Sequence, residues 1–325
     1  FSLSSKDQDQ TNPKTKKTTD ASGNKNDNTL YKHVFAPTSK VAEKCLLPWS
    51  QHYSTDINFL RDSQTLYGSM EGMQGRPELV QGAWDMWSGL KNDDYFLGKY
   101  NYVDISFLQW LNHSEQFLTI YNIYNISSPV INLLSPLALL IVPFIIMKIM
   151  KVPITPQNYV NILKKEMKTK GVGRLLTGMK GASWHKRIYL IFCIAMYFLN
   201  IYQNIKSCIS FKQRMVQMKE NYALMRDYCD YTLANIDFFL ERSRDLLTYA
   251  VFNTKLEHYR ERIQKFSNSI QGVCMEALSP RSLFQIGKTM QNLYTMYFSK
   301  QVEQTMLYTM GFNGYMETLC GLRKN

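Results

Sequence analysis

QFLTIYNIYNISSPVINLLSPLALLIVPFIIM, residues 116–147, contains no charged side chain, and neither does IYLIFCIAMYFLNIYQNI, residues 188–205. A helix needs roughly 20 apolar residues to cross ~30 Å of hydrocarbon, and both runs are of that order. Residues 148–187 between them carry ten Lys or Arg and one acid, Glu166. Their net charge of +9 is most of the +12 of the whole 325-residue chain. Two uncharged runs around a cationic connection read as a hydrophobic helical hairpin, over residues 126–205, held at an anionic lipid surface. Lys148, Lys151, Lys164, Lys165, Lys168, Lys170, Arg174, Trp184, Lys186 and Arg187 are the expected lipid contacts. Trp110, Tyr121, Tyr124 and Tyr189 stand with Trp184 near the ends of the runs, where aromatic belts form. Two buried helices of a large soluble domain would also hide such runs. A solvated face over an anionic partner domain would also carry such a loop.

Outward from this segment the chain changes character. Residues 1–30 are nearly devoid of apolar side chains and are expected to be a disordered polar tail. Residues 31–125 place aromatic and aliphatic side chains at loose helical spacing, with Gly68, Gly72, Gly75 and Pro77 as punctuation, and read as a small helical domain. Ser128-Pro129, Ser135-Pro136, Thr155-Pro156 and Ser279-Pro280 each set a capping hydroxyl before a proline, the pattern of a helix start. The first two, with Pro143, are expected to break or kink the first run.

From residue 182 to 271 there is neither Gly nor Pro. A long lever helix is expected over 206–272, with a seam of Cys208, Phe211, Met215, Met218, Tyr222, Met225, Cys229, Ile236 and Phe239. Their spacing alternates three and four, with Thr232 as the one polar member, as in a coiled coil or bundle. A closing helix over 279–325 is expected to end near Gly311-Phe312-Asn313-Gly314. The fold class is therefore all-α.

Catalytic motifs are missing. Gly287-Lys288-Thr289 has the ending of a phosphate loop, but Ser282 stands where its first glycine belongs. No catalytic residue, cofactor or metal site is expected in this chain. The six cysteines show no C-x-x-C pairing, and no metal spacing with the five histidines. They read as thiols of a reducing compartment. The start of the chain lacks the features of a signal peptide.

Several local motifs together resemble one family. They are Pro48-Trp49 with Tyr53 and Asp56, Ser128-Pro129 through Ser135-Pro136, Val142-Pro143-Phe144, Lys151-Val152-Pro153-Ile154, Ser183-Trp184, Ile188-Tyr189-Leu190, Ile201-Tyr202-Gln203-Asn204-Ile205 and Gly311-Phe312-Asn313-Gly314-Tyr315. In combination these are similar to the N-terminal region of the MutS-related ATPases of nucleocytoplasmic large DNA viruses, over about residues 30–325. That resemblance implies a DNA mismatch repair ancestry and a downstream ATPase domain that binds ATP and Mg. It also implies DNA as a possible partner, and a homodimer through the lever or the ATPase. For these residues it implies a core and lever, long helices that couple a distal region to the ATPase; the hairpin read from the uncharged runs, membrane-associated, would be the anchored end. The Phe-x-Glu tripeptide with which cellular MutS proteins read a mismatch occurs here at Phe239-Leu240-Glu241, inside the expected lever. The alternatives are a soluble DNA-binding MutS core with buried apolar runs, and a membrane scaffold unrelated to repair.

Overall fold

The structure is a computed structural model that describes residues 30–51, 54–73, 75–151, 153, 155–169, 184–271 and 280–324. The expected polar tail lies outside them except for Leu30, which opens the first helix. Lys170 and Arg174 also lie outside, as do the side chains of Lys168, Lys186 and Arg187.

Every regular element among the described residues is helical, so the fold is all-α. The helices are α1 (Leu30–Phe35), α2 (Lys40–Gln51), α3 (Ile57–Ser69), α4 (Pro77–Lys91), α5 (Phe96–Lys99), α6 (Glu115–Ile149), α7 (Pro156–Thr169), α8 (Trp184–Ser243), α9 (Ala250–Gln271), α10 (Pro280–Phe298) and α11 (Lys300–Lys324). Short 3-10 turns stand at Ser106–His113 and Leu247–Tyr249. The chain divides into two compact units, residues 119–217 and the remainder. The small domain expected over 31–125 is not separate: as far as Leu118 it shares one unit with the C-terminal helices.

The reason is α11. Thr305, Met306, Tyr308, Thr309, Met310, Phe312, Asn313, Met316, Glu317 and Thr318 are all buried. At 100° per residue they point to every side of the helix, the mark of a helix inside a core. Helix α11 packs most extensively on α2, and also on α1, α4, α9 and α10. The helix end expected at Gly311–Gly314 is not there; α11 runs through it to Lys324. Gly314 and Gly321 serve close approach rather than termination. A Cβ on Gly314 would stand 2.9 Å from Cys45 Sγ and 3.1 Å from the Val41 carbonyl oxygen of α2. One on Gly321 would stand 1.8 Å from the Phe35 carbonyl oxygen of α1. Close packing offsets the ~1 kcal/mol that a glycine costs a helix interior.

The long lever is likewise divided. Helix α8 ends at Ser243, and α9 folds back on it. No Gly or Pro makes the break. Ser243 Oγ donates to the Phe239 carbonyl (2.9 Å) and bonds Asn253 Oδ1 (2.8 Å), while Asn253 Nδ2 donates to the Ser243 carbonyl (3.0 Å). Side chains thus satisfy the helix end that a Cβ-less residue would otherwise terminate. A bidentate Arg260–Asp237 pair and the edge-on Phe239–Phe252 contact (5.4 Å) close the hairpin.

In the unit formed by residues 30–118 and 218–324, the seam from Met218 to Phe239 is buried, Thr232 included. Its cover is the chain's own α10 and α11. Tyr222 donates to the Thr289 carbonyl (2.7 Å), Tyr228 bonds Thr309 (2.9 Å), and Asn313 donates to Thr232 Oγ1 (2.8 Å) while accepting from Asn235 (2.9 Å). The polar exception in the heptad is one end of a buried hydrogen-bond network. Cys208, Phe211 and Met215, in the other unit, are only half-buried.

Burial raises the ionisation of several of these groups. It pushes the Cys45 thiol up to about 11 and the Tyr308 phenol up to about 12. Tyr102, Tyr222, Tyr228 and Tyr315 move up for the same reason. An unfolded chain releases these protons at lower pH than the folded one, so folding loses stability as pH rises. The loss begins near pH 9, where an unfolded thiol starts to ionise, and continues through about 12. Melting temperature is therefore expected to fall steadily above pH 9; a flat profile from 9 to 11 would mean that these groups are solvated.

Candidate functional site

Residues 119–217 form a unit with almost no core of its own. Among its described residues Met147 is the one large apolar side chain that is buried. Ile120, Tyr124, Ile131, Leu134, Ile141, Ile145 and Ile149 of α6 are exposed, as are Ile188, Ile191, Phe192, Phe198, Leu199, Tyr202 and Ile209 of α8. On α8 this exposed set falls within an arc of about 120° at 100° per residue, a single apolar face. Surfaces of this kind mark contacts with membranes or proteins.

Among the described residues no helix is long and apolar enough to cross a membrane. The transmembrane helices expected from the two uncharged runs are therefore not found there. Asn122, Asn125, Ser127, Ser128 and Asn132 interrupt α6, and Asn200, Gln203 and Asn204 interrupt α8. The side chains of Leu133, residues 135–140 and Val142 lie outside the described ones. Neither Ser-Pro pair starts a helix, because α6 is continuous past Pro129, Pro136 and Pro143. Their spacing of seven puts the carbonyls they leave unbonded on nearly one face.

The C-terminal end of α6 concentrates two kinds of group. Phe144, Ile145, Ile149 and Met150 are exposed beside exposed Lys148 and Lys151. Lys151 closes the helix in the left-handed region (φ 54°), two residues before Pro153, a usual way to stop. Helix α7 then starts as expected at Thr155-Pro156, with the Asn158 N–H donating to Thr155 Oγ1 at 3.4 Å. The Phe144 ring contacts Tyr159 at 4.5 Å and seats α7 against α6. Val160, Lys164 and Lys165 of α7 are exposed, as is Trp184 at the start of α8. Of the ten expected lipid contacts, Lys148, Lys151, Lys164, Lys165 and Trp184 therefore have described side chains in this unit.

The other unit contains a feature that the sequence did not announce. A cleft of about 700 Å³ opens between α1, α2, α3, the Leu247–Tyr249 turn, α9 and α11. Phe35 meets Trp49 edge-on (5.1 Å), and Trp49 meets Tyr315 (5.4 Å). Phe59 stacks on Tyr249 (5.6 Å). Leu60, Leu66, Phe252, Leu319 and Leu322 complete the apolar wall. Its polar atoms are uncharged. Ser63 Oγ and Tyr249 OH bond each other at 2.9 Å, and Tyr315 is kept neutral by burial and by the adjacent Tyr249. Asp62 anchors the turn from behind, accepting from the Thr248 N–H (3.1 Å) and hydroxyl (2.6 Å).

Other sequence motifs meet different fates. Gly287-Lys288-Thr289 lies inside α10, and Thr289 is buried with its carbonyl bonded by Tyr222, so it cradles no phosphate. Phe239 of the Phe-x-Glu tripeptide is fully buried against Phe252 and Phe312, which leaves no ring free to wedge into DNA. Asn112, in an Asn-x-Ser sequon, is buried with its amide spent on both backbone atoms of Val103. The described cysteines form no disulfide, and no three His, Cys, Asp or Glu among the described residues are grouped to hold a metal. Compared with protein-family models, curated proteins and solved structures, the chain matches none.

Proposed function

We propose that this chain is a lipid-held helical coupling segment, without a catalytic centre of its own. Residues 119–217 rest on an anionic membrane surface without crossing it, and the helical body carries what is held there. The observation that carries the reading is the coincidence of exposed Ile145, Ile149 and Met150 with exposed Lys148, Lys151, Lys164 and Lys165. Apolar side chains gain by entering the acyl boundary, and each nearby Lys adds about 1 kcal/mol on an anionic leaflet. Helix α8 contributes residues to both units, which supports a coupling role. The resemblance to the pre-ATPase region of MutS-related viral ATPases belongs to the same proposal, with an ATPase as the partner to which motion is coupled.

Vesicle flotation tests it. The chain is expected to float with vesicles containing phosphatidylserine, and less as salt rises. Burying an exposed isoleucine is worth about 1.5–3 kcal/mol, so Ile145→Asp and Ile149→Asp should each weaken binding about tenfold or more. Both side chains are exposed, so these variants should keep the wild-type melting temperature. An intact chain that stays at the bottom of the gradient, or floats equally with purely zwitterionic vesicles, overturns the reading.

A further inference from the structure

We propose that the aromatic cleft is a binding site for one neutral, lipid-like molecule, a hydrocarbon body with a single hydroxyl. The cleft's volume of about 700 Å³ lies within the range of ligand pockets, roughly 300–1,000 Å³. Its wall has the composition of such pockets too, with apolar and aromatic side chains around a few converging polar atoms. No charged side chain lines it among the described residues, so a carboxylate or ammonium buried there would go unpaired. The Ser63–Tyr249 pair is the natural partner for one polar atom. Ser63 donates to the Phe59 carbonyl (2.7 Å), so Tyr249 donates to Ser63 Oγ (2.9 Å), and the lone pairs left on the two oxygens can accept from a ligand hydroxyl. The chain's own tail is a poor occupant. Residues 1–29 hold two large apolar side chains, Phe1 and Leu3, among Lys, Asp, Asn, Gln, Thr and Ser. A foreign hydrocarbon is what the wall can cover.

Trp49 makes the test direct, because it is part of the wall. The full chain, in the absence of vesicles, is titrated with a brominated fatty alcohol below its aggregation limit. Saturable quenching of tryptophan fluorescence is expected. Most of it should vanish in Trp49→Phe and persist in Trp184→Phe, whose tryptophan belongs to the lipid-facing unit. The matching brominated fatty acid, ionised at neutral pH, should bind at least about tenfold more weakly. Tyr249→Phe, which keeps the ring and removes the hydroxyl, should weaken the alcohol about threefold to tenfold and leave a brominated alkane unaffected. Absence of saturable quenching overturns the proposal, as does quenching that follows Trp184 instead of Trp49. Equal affinity for acid and alcohol overturns the neutral-ligand assignment. Membrane flotation is independent of every one of these readings, so failure here leaves the lipid-surface proposal standing, and the reverse.

Discussion

Glu317→Ala is expected to destabilise the chain by about 3–5 kcal/mol, read by denaturant or thermal unfolding of the full-length protein. Glu317 is buried on α11, and its carboxylate holds the start of α2. Oε1 accepts the backbone N–H groups of Thr38 and Ser39, both at 2.7 Å, and Oε2 accepts the Ser39 hydroxyl at 2.6 Å. These donors point out of a helix N-terminus, where the partial positive charge favours an anion. Removing the carboxylate strands the two buried Ser39 donors and leaves the Thr38 N–H, on an exposed residue, to water. Each unsatisfied buried donor costs about 1–3 kcal/mol, and hydrogen bonds to a charged group are stronger than neutral ones. Glu317→Gln keeps the shape and one acceptor oxygen, and should lose roughly half as much. An alanine variant that unfolds with the wild type would mean that α2 is not held by this contact.

The second large effect distinguishes two adjacent positions on α8. Met218 is 2% exposed, while Lys219 is turned to solvent. Met218→Glu buries a carboxylate in the packed seam, and should cost at least about 3 kcal/mol or unpack the helix locally. Lys219→Glu should stay within about 0.5 kcal/mol of the parent. The comparison needs the whole chain, because α11, which helps cover the seam, also rests on α2. Equal effects at both positions would remove the packed face from this stretch of α8.

The seam shows how far local spacing carries. Met218, Tyr222, Met225, Cys229, Ile236 and Phe239 could be picked out because a three-four alternation is a property of one helix. What the seam faces could not, because α10 and α11 come from elsewhere in the chain. Thr232 looked like an interruption until Asn313 was brought beside it. The break after Ser243 had no signal because Asn253, ten residues on, supplies the cap in place of a glycine. Gly314 misled for the opposite reason. Glycine marks both helix ends and close approach, and only the neighbour, here α2, tells them apart. The cleft was illegible altogether, since its wall is gathered from short pieces between Phe35 and Leu322, none of them distinctive alone. Absence of charge over 116–147 and 188–205 was plain, and both runs lie within long helices, α6 and α8.

Helix α11 also dictates when this protein can become itself. It supplies the anion that starts α2, the notch that receives α1, and the hydroxyl and amide that complete α8. The Glu317 contacts with Thr38 and Ser39 span 279 and 278 positions in the chain. During synthesis the first helices therefore leave the ribosome long before their central support exists, and residues 119–217 emerge while that support is still unmade. Contacts so distant in sequence form slowly, and incomplete chains show their apolar faces meanwhile. A nascent chain of this kind completes its earliest contacts only when its last helix has been made.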